Sequence, residues 1–225
     1  MRNTKPKKDQ VILKREKKII GVFIDGVGLD RACRRLKRKV SLANLVKGVT
    51  SGIEATFARY YTIIPFEDDS RHRAFLDAVT RSGLSVLAKR LPPKGIDRQV
   101  AIDSEMSSDL VSFGLGHLNE YDLSSDKIEL LANFNYVKDN NANSSKDLVS
   151  ETPPTGEAVP EKVEKVKRIA VIVCPSRELS YAIGFLNHIK VDTVSADFSN
   201  FAGNDVLKSA AKWIDLSDSQ TIWQD

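Results

Sequence analysis

Acidic residues stand at three places where predicted strands give way to loops or helices. Asp25 follows the apolar run Ile19–Ile24, Glu178 follows the run Arg168–Cys174, and Asp97 lies at the predicted start of a helix. Ligands of open α/β sheets bind beyond the carboxyl ends of the strands. Carboxylates gathered there would supply the oxygen ligands that Mg²⁺ or Mn²⁺ prefers, and such an ion activates water toward a phosphodiester.

Basic residues cluster close to the first of these acids. Residues 1–18 contain eight lysines and arginines against two acids, and residues 31–39 contain six against none. Clustered cations of this kind bind phosphate backbones or other anionic surfaces. We therefore expect the basic helix face to contact phosphates through Arg34, Arg35 and Arg38. A solubilising tail and a solvated helix face are the structural alternatives.

Strands that alternate with helices must position these residues. The pattern predicts an α/β fold, with a mostly parallel sheet that is covered by helices on both faces. Its strands include Ile19–Ile24 and Arg168–Cys174, which are apolar enough to be buried on both sides. Helices are predicted from Leu29, over 70–81 with Phe75 facing inward, over 96–111, near 126–131 and over 204–214.

One large domain accounts for most of the chain. Residues 1–18 are predicted to be a basic tail, 19–216 the domain and 217–225 a C-terminal tail, with a mobile polar insertion at about 138–167. The two cysteines form no metal-ligand pattern. One pair of cysteines is not a disulfide framework, so we expect a reducing, cytoplasmic compartment. No apolar run approaches the roughly 18 residues of a membrane span, so we expect no membrane partner.

Four segments in the same order resemble the NYN family of PIN-like nucleases. They are Phe23–Leu29, Arg71–Val79 with Ser82–Val86, Lys94–Asp103, and Arg168–Leu179. The similarity covers about residues 19–110 and 168–216. It implies a PIN-like (Rossmannoid) fold and metal-dependent cleavage of RNA, with Mg²⁺ or Mn²⁺ as the cofactor.

The resemblance also assigns roles to the acids. Asp25 falls on the family's first catalytic acid, Asp97 on its second acidic position, and Glu178 on the last aspartate of its serine-glycine-aspartate-x-aspartate motif. Asp103 would be a further metal ligand. Asp97 and Asp103 are six residues apart, about 240° around a helix, so both cannot point at one metal from a regular helix, and we favour Asp97. As structural alternatives, Asp25 would cap a helix, and Asp97 or Glu178 would only stabilise a helix N-terminus.

Further residues complete this predicted site. Lys94 and Arg98 would join the three arginines in binding RNA, and a polar loop at Asp197, Asn200 and Asp205 could border the same cleft.

Two departures from the family leave a second hypothesis open. Gly28 stands where the family usually has asparagine, and Ser176 stands where it has the first aspartate of the acidic motif. The chain would then be a catalytically impaired pseudo-nuclease that binds RNA or protein. A third hypothesis assigns the basic regions to a partner protein or an anionic surface, and a homodimer is also left open.

Overall fold

Seven strands and six helices follow one another in the computed structural model, which describes residues 17–67, 70–118, 128–131 and 166–224. In chain order they are β1 (Lys17–Asp25), α1 (Gly26–Leu36), α2 (Leu42–Val49), β2 (Phe57–Ile64), α3 (Ser70–Arg81), β3 (Ser85–Arg90), α4 (Asp103–Leu115), β4 (Ile128–Leu131), β5 (Val166–Val173), α5 (Ser180–His188), β6 (Asp192–Asp197), α6 (Asn204–Ser209) and β7 (Lys212–Asp215).

The strands form one sheet in the order β4-β3-β2-β1-β5-β6-β7. Every neighbouring pair is parallel. Strands β1 to β4 proceed outward in one direction, and β5 then returns to the other side of β1. Such a reversal opens a crevice beyond the carboxyl ends of the two strands that flank it, here β1 and β5. The predicted α/β fold with a parallel sheet is confirmed.

Apolar side chains fill a core on each face of the sheet. Alternate residues of a strand point to opposite faces. Val22 and Ile24 of β1 pack in the core beneath α1, α2 and α3. Phe23 packs in the opposite core, with Phe113 of α4 and Leu186 of α5. The central strand is therefore buried on both sides, which explains its uninterrupted apolar sequence.

Residues predicted as a C-terminal tail belong to the fold. Ile222 and Trp223 are buried. Trp223 forms an antiparallel bridge with Val40. The backbone N–H of Ser41 donates to the Ile222 carbonyl at 2.8 Å, and that of Gln224 donates to the Lys39 carbonyl at 2.9 Å. These apolar side chains and backbone bonds close the core beside α2.

Three predicted helices differ from the structure. Helix α4 begins at Asp103 instead of near 96, because Pro92, Pro93 and Gly95 (φ +92°) hold an irregular loop before it. Residues 128–131 form strand β4 instead of a helix, and helix α6 ends at Ser209 before strand β7. The segment that became β7 contains Trp213 and Ile214, residue types that favour strands.

Other expectations concern exposure and the limits of the fold. Phe75 of α3 is 46% exposed and does not point fully inward as predicted. The predicted insertion at about 138–167 and the N-terminal tail lie outside the described residues, apart from 166–167 and 17–18, which already belong to strands. No helix within the described ranges is long and apolar enough to cross a membrane.

Candidate functional site

A cavity of about 330 Å³ lies at the crevice where the strand order reverses. Its walls come from the ends of β1, β5 and β6, from one face of α1 and from the loop that precedes α4. The polar side chains that line it are Asp25, Asp103, Ser176, Asp197, Arg31, Arg35 and Gln99. The cavity thus lies where the strand-end rule predicted a site, while its lining residues differ from the predicted set.

Asp25 ends β1 and caps α1. Its Oδ1 accepts a hydrogen bond from the backbone N–H of Gly28 at 3.0 Å, and the side chain is only 5% exposed. Burial raises the pKa of Asp25 to about 6, the Gly28 N–H opposes this rise, and the nearby charge of Asp103 adds to it. Asp25 therefore caps α1 and also lines the cavity, so the two interpretations do not exclude each other.

Asp103 is the acid that the fold brings near Asp25. It is the first residue of α4, and its Oδ1 accepts a hydrogen bond from the Ser176 hydroxyl. Lys89 of β3 holds the approach to α4, since its Nζ lies 2.6 Å from the Ala101 carbonyl and 2.5 Å from Glu105 Oε1. The N-terminus of α4 is thereby tied to the sheet.

Asp97 does not line the cavity. It is exposed in the irregular loop before α4. The preference for Asp97 over Asp103 assumed that the helix began at Asp97, and that assumption is wrong, because the helix begins six residues later. Asp103 therefore takes the helix-start position that was assigned to Asp97.

Glu178 also lies away from the cavity. A single 3-10 turn, Arg177–Leu179, follows Ser176, and Glu178 is exposed on it. Its side chain lines a separate, open groove of about 580 Å³ between α4 and α5, together with Tyr181 and Phe185. Two positions match the acidic motif. Ser176 contacts Asp103 in the cavity, whereas Glu178 lines the groove between α4 and α5.

Gly28 is required by a close approach of two backbones. A Cβ at this position would lie 2.4 Å from the carbonyl oxygen of Cys174, a contact that side chains do not make. Cys174 itself has a left-handed backbone (φ +50°), with its N–H donating to the Ala196 carbonyl at 2.8 Å. The absence of asparagine at Gly28 therefore reflects how tightly α1 meets the end of β5.

Asp197 forms the opposite polar wall of the cavity, at the end of β6. It is 8% exposed, and its Oδ1 accepts the backbone N–H of Phe198 at 2.7 Å. Burial raises the pKa of Asp197, whereas hydrogen bonds from Phe198 and from the Cys174 thiol oppose that rise. The expectation that its loop borders the cleft thus holds for Asp197.

The arginines of α1 divide into two groups. Arg31 and Arg35 line the cavity, one helical turn apart. Arg34 instead forms an ion pair with Asp30 at 2.6 Å, and the Arg38 guanidinium lies 3.9 Å from the centre of the Trp223 ring. Of the three predicted phosphate ligands, Arg34 and Arg35 on α1 and Arg38 just after it, only Arg35 lines the cavity, and Arg31, which was not predicted, lines it as well.

Lys94 and Arg98 lie on the exposed loop before α4. Lys94 Nζ is 3.6 Å from Glu67 Oε1, and both side chains are largely exposed. Neither basic residue lines the cavity. A contact with phosphate would therefore be made outside the cavity.

The donor set of the cavity fits a hard cation that keeps water ligands. Among the described residues, no group of three or more His, Cys, Asp or Glu side chains is arranged to hold a metal ion. Asp25, Asp103 and the Ser176 hydroxyl do converge. Mg²⁺ is commonly bound by one or two carboxylates together with waters and substrate phosphates, so this pair fits such an ion.

Comparisons with known proteins inform the fold alone. No protein-family model matches the chain, and a search of curated proteins gave no significant match. A crystal structure of a protein of unknown function from Vibrio parahaemolyticus is similar, with a TM-score of 0.57 over 93% of this chain and 97% of that one. At 11% sequence identity, this likeness shows a shared α/β fold.

Proposed function

We propose that the chain is a divalent-metal-dependent ribonuclease of the PIN-like, NYN type. The observation that carries this proposal is the meeting of Asp25 and Asp103 in one cavity at the strand-order reversal, with Arg31 and Arg35 on its wall. Two carboxylates would hold Mg²⁺ or Mn²⁺, and two guanidinium groups would hold phosphate.

The charges of the cavity support this assignment. Asp25 is buried with a raised pKa, and its neighbouring acid raises that pKa further, so a cation between the two carboxylates would relieve their repulsion. A bound ion would supply an activated water and neutralise charge on the phosphodiester. Asp25 and Asp103 would orient that ion, and Ser176 would hold the Asp103 carboxylate in place by its hydrogen bond.

Cleavage of a labelled single-stranded RNA in Mg²⁺ or Mn²⁺ tests the proposal. Asp25→Asn and Asp103→Asn should each lower the rate by about 100-fold, because each removes one charge from the ligand pair. Asp97→Asn is the matched control and should cleave as the wild type does, since Asp97 is exposed outside the cavity. Equal rates for all four proteins would overturn the assignment.

A second function is favoured by one observation at the same site. Ser176 occupies the position of a family aspartate and uses its hydroxyl on Asp103. A pseudo-nuclease would bind RNA in EDTA with an affinity that falls steeply with salt, without cleaving it in any divalent ion. Its binding would be weakened by Arg31→Ala and Arg35→Ala and unaffected by Asp25→Asn.

A further inference from the structure

Phe201, Arg35 and Asp197 form a second group of side chains in the cavity, at the carboxyl end of β6. The Arg35 guanidinium carbon lies 5.3 Å from the centre of the Phe201 ring. Phe201 is half-buried, so part of its ring is accessible from the cavity. An aromatic ring beside a guanidinium plane is a common stacking surface for an unpaired base.

The loop that carries this group is held in place by the sheet. The backbone N–H of Phe201 donates to the Phe198 carbonyl at 2.8 Å. The N–H of Ser199 lies 3.2 Å from both Asp215 Oδ1 and Ser217 Oγ. Because these bonds tie the loop to β7, the stacking surface and the end of β6 keep a fixed relation, as a binding subsite requires.

Asp197 has acceptor capacity that no donor among the described residues fills. Its donors are the Phe198 N–H and the Cys174 thiol. An ionised carboxylate can accept about four hydrogen bonds, so roughly half of the capacity remains on a buried group that faces the cavity. A ligand with two adjacent N–H donors would satisfy this group.

Guanine is the base whose edge matches this arrangement. Its Watson–Crick edge places an imino N1–H directly beside an amino N2–H, a pair that one carboxylate can accept. Adenine and cytosine offer one amino group beside an acceptor nitrogen, and uracil offers one imino group between two carbonyls. Each of these would bring an acceptor toward the Asp197 oxygens, which costs binding energy.

The spacing suits a nucleotide whose phosphate lies near the acid pair. Asp25 ends β1 and Asp197 ends β6, and β5 lies between them. Two strand spacings correspond to about 10 Å, which is similar to the distance from a nucleotide's phosphate to the far edge of its base. We propose that Asp197 and Phe201 form a subsite for one guanine base of single-stranded RNA, with Arg35, over the Phe201 ring, next to the phosphate, an inference that rests on the proposed function.

Fluorescence anisotropy tests the subsite in EDTA, where metal-dependent cleavage cannot occur. The probes are labelled oligouridylates with guanosine, inosine, adenosine or cytidine at one central position. The wild type should bind the guanosine probe about tenfold more tightly than the others, inosine included, because inosine lacks the N2 amino group. Phe201→Leu should weaken the binding of all four probes.

Asp197→Asn should abolish the preference for guanosine, because an amide cannot accept both donors. Asp192→Asn is the matched control: Asp192 begins the same strand, at the opposite end of the sheet, and its Oδ2 lies 2.9 Å from Lys167 Nζ. Equal affinities for guanosine and inosine, or an Asp197→Asn variant that keeps the preference, would overturn the subsite without affecting cleavage. If the protein prefers guanosine but does not cleave RNA in any divalent ion, the proposed subsite stands and the proposed nuclease activity is wrong.

Discussion

Two carboxylates on helix α4 have opposite surroundings. Asp109, in the middle of the helix, lies 2.9 Å from Arg59 Nη1 and accepts the Tyr61 hydroxyl at 2.7 Å. Arg59 is 5% exposed, and its Nε donates to Ser85 at 3.2 Å. Asp103, at the start of the same helix, meets a serine hydroxyl and lies near a second carboxylate.

The difference separates an acid that the fold pairs with a cation from an acid that we propose to bind a metal ion. Asp109 contacts the Arg59 guanidinium and the Tyr61 hydroxyl of β2, so its carboxylate helps to hold α4 against that strand. In the cavity, Asp25 forms no ion pair among the described residues and its pKa is raised to about 6. Arg31 and Arg35 line the same cavity without an ion pair to Asp25 among the described residues, and we propose that the acid pair is available to a metal ion.

Removing the cation from the balanced site should have the largest effect on stability. Arg59→Met leaves Asp109 partly buried beside Tyr61 without its partner, which should lower the free energy of unfolding by about 3 kcal/mol. Urea denaturation measures this loss. The double variant Arg59→Met with Asp109→Leu should recover much of it, because no unpaired charge remains. A single variant as stable as the wild type would refute the contrast between the two sites.

Asp25 should make the protein less stable as the pH rises. Its pKa is about 6 in the folded protein and 3.8 ordinarily, so the folded state binds more protons between these values. The free energy of unfolding should therefore fall as the pH rises through these values, by about 3 kcal/mol in total once the pH is above the folded pKa, and this cost is absent well below about pH 4.

Urea denaturation at a series of pH values checks this slope. Asp25→Asn should remove it while keeping the cap of α1, because asparagine and aspartate cap helices about equally well. At pH 7, Mg²⁺ should stabilise the wild type and leave the variant unchanged. The same slope in both proteins would assign it to other groups, Asp197 among them.

Gly28→Ala tests the close backbone approach at the cavity floor. A Cβ 2.4 Å from the Cys174 carbonyl must displace backbone, so the free energy of unfolding should fall by about 2 kcal/mol. Gly184→Ala is the control, because nothing lies within 4 Å of the added Cβ in α5. That change should instead stabilise the protein by about 0.5 kcal/mol, as alanine does in a helix. Thermal denaturation compares the two, and equal melting temperatures would contradict the packing.

Lys89→Met should have the smallest effect on global stability and a local effect on α4. Its ion pair with Glu105 is partly exposed, so the loss should be about 1 kcal/mol or less. Amide hydrogen exchange should become faster in the first turn of α4 and stay unchanged in β2. Lys167→Met removes an ion pair at the other end of the sheet and should leave α4 unchanged. Unchanged exchange in the Lys89 variant would show that the loop holds α4 without this anchor.

The sheet could be predicted because its signals are local. Apolar runs at Ile19–Ile24 and Arg168–Cys174 became β1 and β5, and the strand-end rule located the cavity between them. The start of α4 could not be predicted in the same way. Asp97 and Asp103 both looked suitable, and the choice depended on a left-handed Gly95 and on the Lys89 anchor, which are tertiary features.

The members of the cavity were harder to predict than its position. Sequence spacing identified a basic face on α1 but not which arginines turn toward the sheet edge. Gly28, Arg31 and Arg35 lie on successive turns of one helix face that begins at Asp25, and this spacing was a usable signal. Ser176 precedes a single 3-10 turn and Glu178 lies within it, so their side chains point in different directions. The residue types in this segment did not indicate that turn.

Strand β1 pairs with β2 and with β5, and the different sequence separations of these two strands from β1 suggest an order of folding. Gly21 of β1 pairs with Phe57 of β2, which is near it in the chain, and with Ala170 of β5, which is far along the sequence. Contacts of such long sequence separation form late, because loop-closure entropy must be lost before they contribute stability. We expect the half made of β1 to β3 to form first and the junction with β5 to close afterwards. The cavity would then be assembled in the last stage, and a ligand bound across it would slow unfolding.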